Sequence, residues 1–194
     1  GKRAVFVLAI SVSLCSPLAG QSEGEVYLRW RIASDEYVIY NVAEISGGKL
    51  IPTQEPPFIL FGYEVSEKGA PPFLPAGPRE LAVLFALSLP NEARKPNSRW
   101  TVERRYFFPP TTMLAQAGWG VIPLEVTGSF AFQRLEGKKI AKIQGVITYF
   151  QLKLVKGQWT REAKPSASLD VLQEVDVEEG LVKRVQYRLN GTIN

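Results

Sequence analysis

The chain has 194 residues with a net charge of +4, and 45% of them are hydrophobic and 22% charged. This balance predicts one domain or a compact pair with a substantial core, and it does not favour a nucleic-acid partner. The chain has no histidine and a single cysteine, which excludes Ser-His-Asp catalysis and histidine-based metal sites. We therefore expect a protein without cofactor or metal that is not an enzyme.

The first twenty residues have the layout of a secretory signal peptide. Lys2 and Arg3 form a basic start, residues 4–14 are an apolar run, and small residues lead to Gly20. The run is shorter than the about 20 residues that a membrane-spanning helix needs. We expect cleavage near Gly20, with a buried helix or an uncleaved anchor as the alternatives. The predicted organisation is a leader over 1–20 and one β-rich domain over 21–194, located in the periplasm, the outer envelope or outside a bacterial cell.

Cys15 lies inside this leader. The stretch Val12–Cys15 is similar to a bacterial lipoprotein box, although Leu14 is larger than the residue usually found before the cysteine. Cys15 is therefore a candidate for lipidation. We expect contact with a membrane only if the leader is retained or this thiol is acylated.

The mature part of the chain reads as strands, taken in order. Residues 25–33 alternate between apolar and polar side chains, residues 36–43 continue as a strand, and a turn follows at 46–49. Prolines crowd residues 52–78, which predicts stiff loops around one apolar strand or a rim that binds a partner. Residues 80–89 fit a buried strand or a short helix.

The last half continues the alternation more clearly. Acidic residues on one predicted strand face basic residues on the next, which favours a hairpin. The whole pattern predicts an all-β protein: an antiparallel meander of about ten strands, strongly curved or partly closed like a barrel, with an N-terminal signal or anchor helix. The predicted strands of this half are 100–108, 124–135, 139–154, 169–177 and 181–189.

Seven short stretches of the chain contain motifs that can be compared with known families: Leu28–Ile32, Asp35–Tyr40, Leu87–Pro90, Lys95–Trp100, Gly137–Ile143, Gly180–Val182 and Leu189–Gly191. Together they resemble a family of secreted bacterial β-rich domains that lacks an assigned activity. The family implies an exported, non-catalytic domain and supplies no catalytic residues. Asn97 and Ser98 replace its usual Gly-Asp pair.

Exposed aromatic residues are the candidates for a contact surface, although aromatic side chains also fill β-sheet cores. The candidates come from the proline-rich segment, from a Phe-Phe-Pro-Pro stretch and from a tryptophan between two glycines. They are Phe58, Phe61, Tyr63, Phe107, Phe108 and Trp119.

These observations favour an exported, non-catalytic domain that contacts a protein partner as a subunit or accessory of a cell-envelope or extracellular assembly. One alternative is a carrier of a lipid-like apolar ligand within a curved sheet. The other is a glycoside hydrolase that uses two carboxylates, since such chemistry needs neither histidine nor cysteine.

Overall fold

A computed structural model describes residues 2–10, 24–62, 88–108, 116 and 122–190, with the backbone alone for residues 2–10, Phe108, Ile122 and Leu189. The all-β class is confirmed, with twelve strands where about ten were expected. No helix among the described residues has the length and apolar character needed to cross a membrane. The strands are β1 Lys2–Ile10, β2 Val26–Leu28, β3 Tyr37–Ser46, β4 Lys49–Pro52, β5 Phe58–Phe61, β6 Glu92–Arg94, β7 Arg99–Phe108, β8 Ile122–Glu136, β9 Ile140–Val155, β10 Gln158–Arg161, β11 Ala167–Asp176 and β12 Leu181–Asn190.

Ten of the strands form one sheet in the order β4-β3-β1-β12-β11-β9-β8-β7, with β10 paired to β9 and β5 paired to β3. The remaining two, β2 and β6, form a separate ribbon. Among the described residues the sheet does not close into a barrel, because β7 pairs with β8 and not with β4 or β5 at the other end of the strand order. Within the described residues β7 therefore stays at the opposite edge of an open sheet.

The predicted antiparallel meander is confirmed for the second half of the chain. Strands β7, β8, β9, β11 and β12 pair antiparallel in that order. The turn between β8 and β9 places Gly137 and Lys138 at φ values of 57° and 60°. Two consecutive residues with positive φ give the tight turn whose twist matches paired antiparallel strands.

The predicted N-terminal helix is wrong for residues 2–10, which form strand β1. This strand lies between β3 and β12 and runs parallel to both. Its central residues include Val5, Phe6 and Val7, and β-branched and aromatic residues favour a strand that has neighbours on both sides. Residues 11–20, the rest of the predicted leader, lie outside the described residues.

One hydrophobic cluster joins strands from both ends of the sheet order. It contains Val38 and Tyr40 of β3 together with Trp100 of β7. The chain after β2 passes over this core: Leu28 is buried, and the Arg31 N–H donates to the Gly180 carbonyl at 2.7 Å. The burial of these apolar side chains of the sheet, together with Leu28, stabilises the fold.

Two buried tyrosines, Tyr40 and Tyr149, and the partly buried Tyr106 are expected to make the fold sensitive to alkaline pH. Burial raises the pKa of Tyr106 to about 12 and raises the pKa of Tyr40 and Tyr149 above the ordinary value for a phenol. A pKa raised in the folded state means that the neutral phenol stabilises the fold fully below the unfolded pKa of about 10. That stabilisation is lost as the pH rises from there towards the folded values.

We expect these three phenols to stay protonated at pH values where free tyrosine ionises, and to ionise only as the sheet unfolds. Ultraviolet absorbance of tyrosinate and circular dichroism of the sheet, recorded in one titration, measure both events. Tyr149→Phe should move the alkaline unfolding to higher pH, since one ionisable buried group is gone. Full ionisation of all tyrosines with an intact sheet signal would contradict this.

Candidate functional site

The predicted contact residues of β5 are partly used by the protein itself. Phe58 and Phe61 are half-buried. Their rings lie 6.5 Å from Tyr40 and 5.9 Å from Tyr37, measured between centroids. Phe58 also packs against the hydrophobic cluster. These two side chains therefore hold β5 onto β3, and only part of their surface remains for another molecule.

The other predicted residues divide between the described and the undescribed parts of the chain. Phe107 is on β7 and is 39% exposed. Phe108 follows it on the same strand, where the structure describes the backbone alone. Tyr63, Trp119 and Cys15 lie outside the described residues, so their roles stay predictions.

Phe107 belongs to a group of side chains on the outer face of the sheet, the face opposite the core. Its ring lies 5.5 Å from the ring of Trp159 on β10, at an interplanar angle of 59°. Trp159 is 36% exposed. A tilted pair of this spacing is a favourable aromatic contact, and here it stays open to solvent on one side.

A buried carboxylate lies beside this aromatic pair. Glu125 on β8 is only 2% exposed, and Arg105 is its direct cross-strand neighbour on β7. The Arg105 Nε donates to Glu125 Oε2 at 2.9 Å, and the Arg161 Nη1 donates to Oε1 at 3.2 Å. Each carboxylate oxygen therefore accepts from a different arginine.

The two arginines are also held by aromatic and backbone groups. The Arg161 guanidinium lies 4.4 Å from the centroid of the Phe150 ring, within the range of a cation–π contact. The Arg105 Nη1 donates to the Trp159 carbonyl at 3.4 Å. We call Arg105, Phe107, Glu125, Trp159 and Arg161 the outer patch.

The outer patch has an excess of one positive charge, because two arginines share one carboxylate. An ionised carboxylate out of contact with water needs such partners, since burial without them is costly. The guanidinium groups themselves remain about half exposed. Glu125 thus orients two cations on the sheet and, through Arg105, contacts the backbone of Trp159, while both arginine side chains stay partly exposed.

A second buried carboxylate has a local structural role. Asp176 Oδ1 accepts the backbone N–H groups of Glu178 and Glu179, and its Oδ2 lies 3.3 Å from the Lys139 Nζ. These bonds hold the turn between β11 and β12. Across the described ranges, no three Asp, Glu or Cys side chains are grouped so that they could hold a metal ion.

Sequence reasoning identified one member of the outer patch, Phe107, as a contact residue. It did not group Phe107 with the other members, because they come from strands far apart in the chain and only the fold brings them together. One usable signal was the alternation of Arg105 and Phe107 on a strand whose other face is apolar. The sequence does not reveal that Glu125 is buried beneath the two arginines.

Comparison of the chain with protein-family models, with curated proteins and with solved structures gives no match. The resemblance to secreted bacterial β-rich domains therefore stays a prediction from short motifs.

Proposed function

We propose that the protein is an exported, non-catalytic β domain that binds a protein partner as a subunit or accessory of a cell-envelope or extracellular assembly. The observation that carries this proposal is the outer patch. Tryptophan and arginine are the residues most enriched among those that dominate binding energy at protein interfaces. Here one tryptophan, one phenylalanine and two arginines share one exposed site.

The preorganisation of the outer patch supports binding by contact. Trp159 on β10 and Phe107 on β7 are held in the sheet by β9 and β8, and their rings touch each other, so little side-chain freedom is lost when a partner covers them. The arginines are already oriented by Glu125. The excess positive charge favours a partner that offers an apolar surface beside a carboxylate.

Export is supported by the leader pattern of residues 1–20. Export would place the partner among the proteins of the cell envelope or the extracellular proteins.

Replacing Trp159 by alanine in the full chain is expected to weaken partner binding about 30-fold, the loss that corresponds to about 2 kcal/mol at a dominant interface residue. The measurement is the affinity of the immobilised protein for the partner isolated with it from its own host's envelope fraction. Leu50→Ala is the matched control, because Leu50 is an exposed apolar residue on β4, the opposite edge of the sheet. Equal binding by the parent chain and by Trp159→Ala would refute the proposal.

A further inference from the structure

Strand β7 is a long edge strand of the sheet. It spans Arg99–Phe108, and within the described residues it is paired with β8 alone. An unpaired strand edge presents backbone N–H and C=O groups that another extended chain can bind.

The turn before β7 determines which residues face the edge. The Asn97 N–H donates to the Phe132 carbonyl at 2.7 Å, and the Phe132 N–H donates to the Ser98 carbonyl at 3.0 Å. With Asn97 at a φ of 71°, this is a bulge that pairs Ser98 with Phe132. In an antiparallel ladder every second residue bonds to the same neighbour, so even-numbered residues of β7 bond to β8.

The backbone groups of Thr101, Glu103 and Arg105 therefore point away from β8. A side-chain contact agrees with this assignment: the Arg94 Nη1 donates to the Arg99 carbonyl at 3.2 Å. Arg99 is odd-numbered, so its carbonyl is the first group of the outward row, and a side chain already satisfies it. The groups that follow lie along the same edge.

The side chains of the odd-numbered residues of β7 are exposed, and two of them, Arg99 and Arg105, are basic. Arg99 and Arg105 lie on either side of Glu103 along the strand, and Lys95 precedes them in the turn. Lys95 and Arg99 have no carboxylate within ion-pair distance among the described residues. These two cations without a carboxylate partner, at the start of the strand, favour an added strand that carries acidic side chains.

We propose that β7 accepts an extended acidic segment of a partner polypeptide as an additional strand of the sheet. Its backbone would bond to Thr101, Glu103 and Arg105, and its alternate acidic side chains would lie opposite Arg99 and Arg105. This rests on the proposed function and specifies the partner's chemistry. Phe107, at the end of the same row, links the added strand to the outer patch.

The test uses the full chain and two synthetic peptides, one of alternating glutamate and valine and one of alternating lysine and valine. We expect the acidic peptide to bind at least ten-fold more tightly than the basic one, and the difference to shrink with added salt. Glu103→Pro should weaken binding of the acidic peptide at least ten-fold, because it removes an outward N–H. The bond ladder to β8 does not use that N–H.

Glu103→Ala is the matched control: it keeps the N–H and removes a repelling carboxylate, so the acidic peptide should bind it as tightly as the parent or more tightly. Equal affinities for Glu103→Pro and Glu103→Ala would overturn the proposal. If the proline variant does not fold, Arg99→Glu decides instead, since it should reverse the preference between the two peptides. Partner capture that Trp159→Ala abolishes and that Glu103→Pro leaves intact would refute the added strand and keep the proposed function.

Discussion

Replacing Phe130 by alanine is expected to lower the free energy of unfolding by about 3–5 kcal/mol, the cost of removing a buried phenylalanine from a close-packed core. Phe130 is 1% exposed and stacks on Trp100 with 5.7 Å between ring centroids. Its other neighbour is Gly145, its direct partner on β9. Urea unfolding of the parent and the variant measures the difference. Val146→Ala is the control: Val146 adjoins Gly145 on the outer face, is exposed, and should change stability by less than about 0.5 kcal/mol.

Gly145 provides a sharper form of the same experiment. A Cβ at this position would lie 2.4 Å from Phe130 Cδ1, so the ring occupies the space that a side chain would take. Gly145→Ala should therefore destabilise the parent and cost much less in the Phe130→Ala background, where the ring is absent. Residues in contact show such coupling, whereas independent sites add. Strictly additive losses would mean that Phe130 does not lie over Gly145.

The local pattern was enough to predict most of the second half of the fold. Alternation located β8, β9, β11 and β12, and the Gly137 turn fixed the hairpin between the first two. The predicted pairing of acidic with basic rows is confirmed by the register, in which Asp170 faces Arg188 and Glu174 faces Arg184. These features depend on neighbours in sequence, which is why periodicity detects them.

Asp176 shows where that reasoning fails. Alternation placed it on the solvent face with Asp170 and Glu174, yet it is buried. The bulge between Glu174 and Val175 does not account for this, because its extra residue, Lys183, is on β12, and β11 stays in register with β9 through Asp176. The Asp176 carboxylate instead accepts the N–H groups of Glu178 and Glu179 in the following turn and lies beside Lys139, and strand alternation does not predict such turn contacts.

The remaining differences between the predicted and the observed fold come from contacts between distant parts of the chain. The outer patch joins β7, β8 and β10, and β1 joins the two ends of the chain through parallel pairing with β3 and β12. A leader pattern predicts that residues 2–10 are removed during export. It does not predict that these residues can form a strand of the sheet. The sheet accepts them because β3 and β12 run in the same direction on either side.

Replacing Val7 by proline in the full chain is expected to destabilise the sheet by on the order of 3 kcal/mol. Val7 lies at the centre of β1, opposite Val42 on one side and Val185 on the other. Proline there removes an N–H from an interior strand and leaves a backbone acceptor on a neighbouring strand without its partner. Chemical unfolding of the two full-length chains measures the loss. Lys2→Pro is the control, because Lys2 is the first residue of the strand, where proline is tolerated.

Strand β1, which contains Val7, is also part of the predicted leader, so cleavage of the leader would remove this strand from the sheet. A chain cut near Gly20 has lost β1, so the amides of β3 between Tyr37 and Ile45 should exchange hydrogen faster in the processed protein than in the full chain. Protein mass identifies which form the host exports, and hydrogen exchange compares the two. Equal protection of β3 in both forms, together with no effect of Val7→Pro, would show that residues 2–10 contribute nothing to the sheet. The leader would then act only as a signal for export.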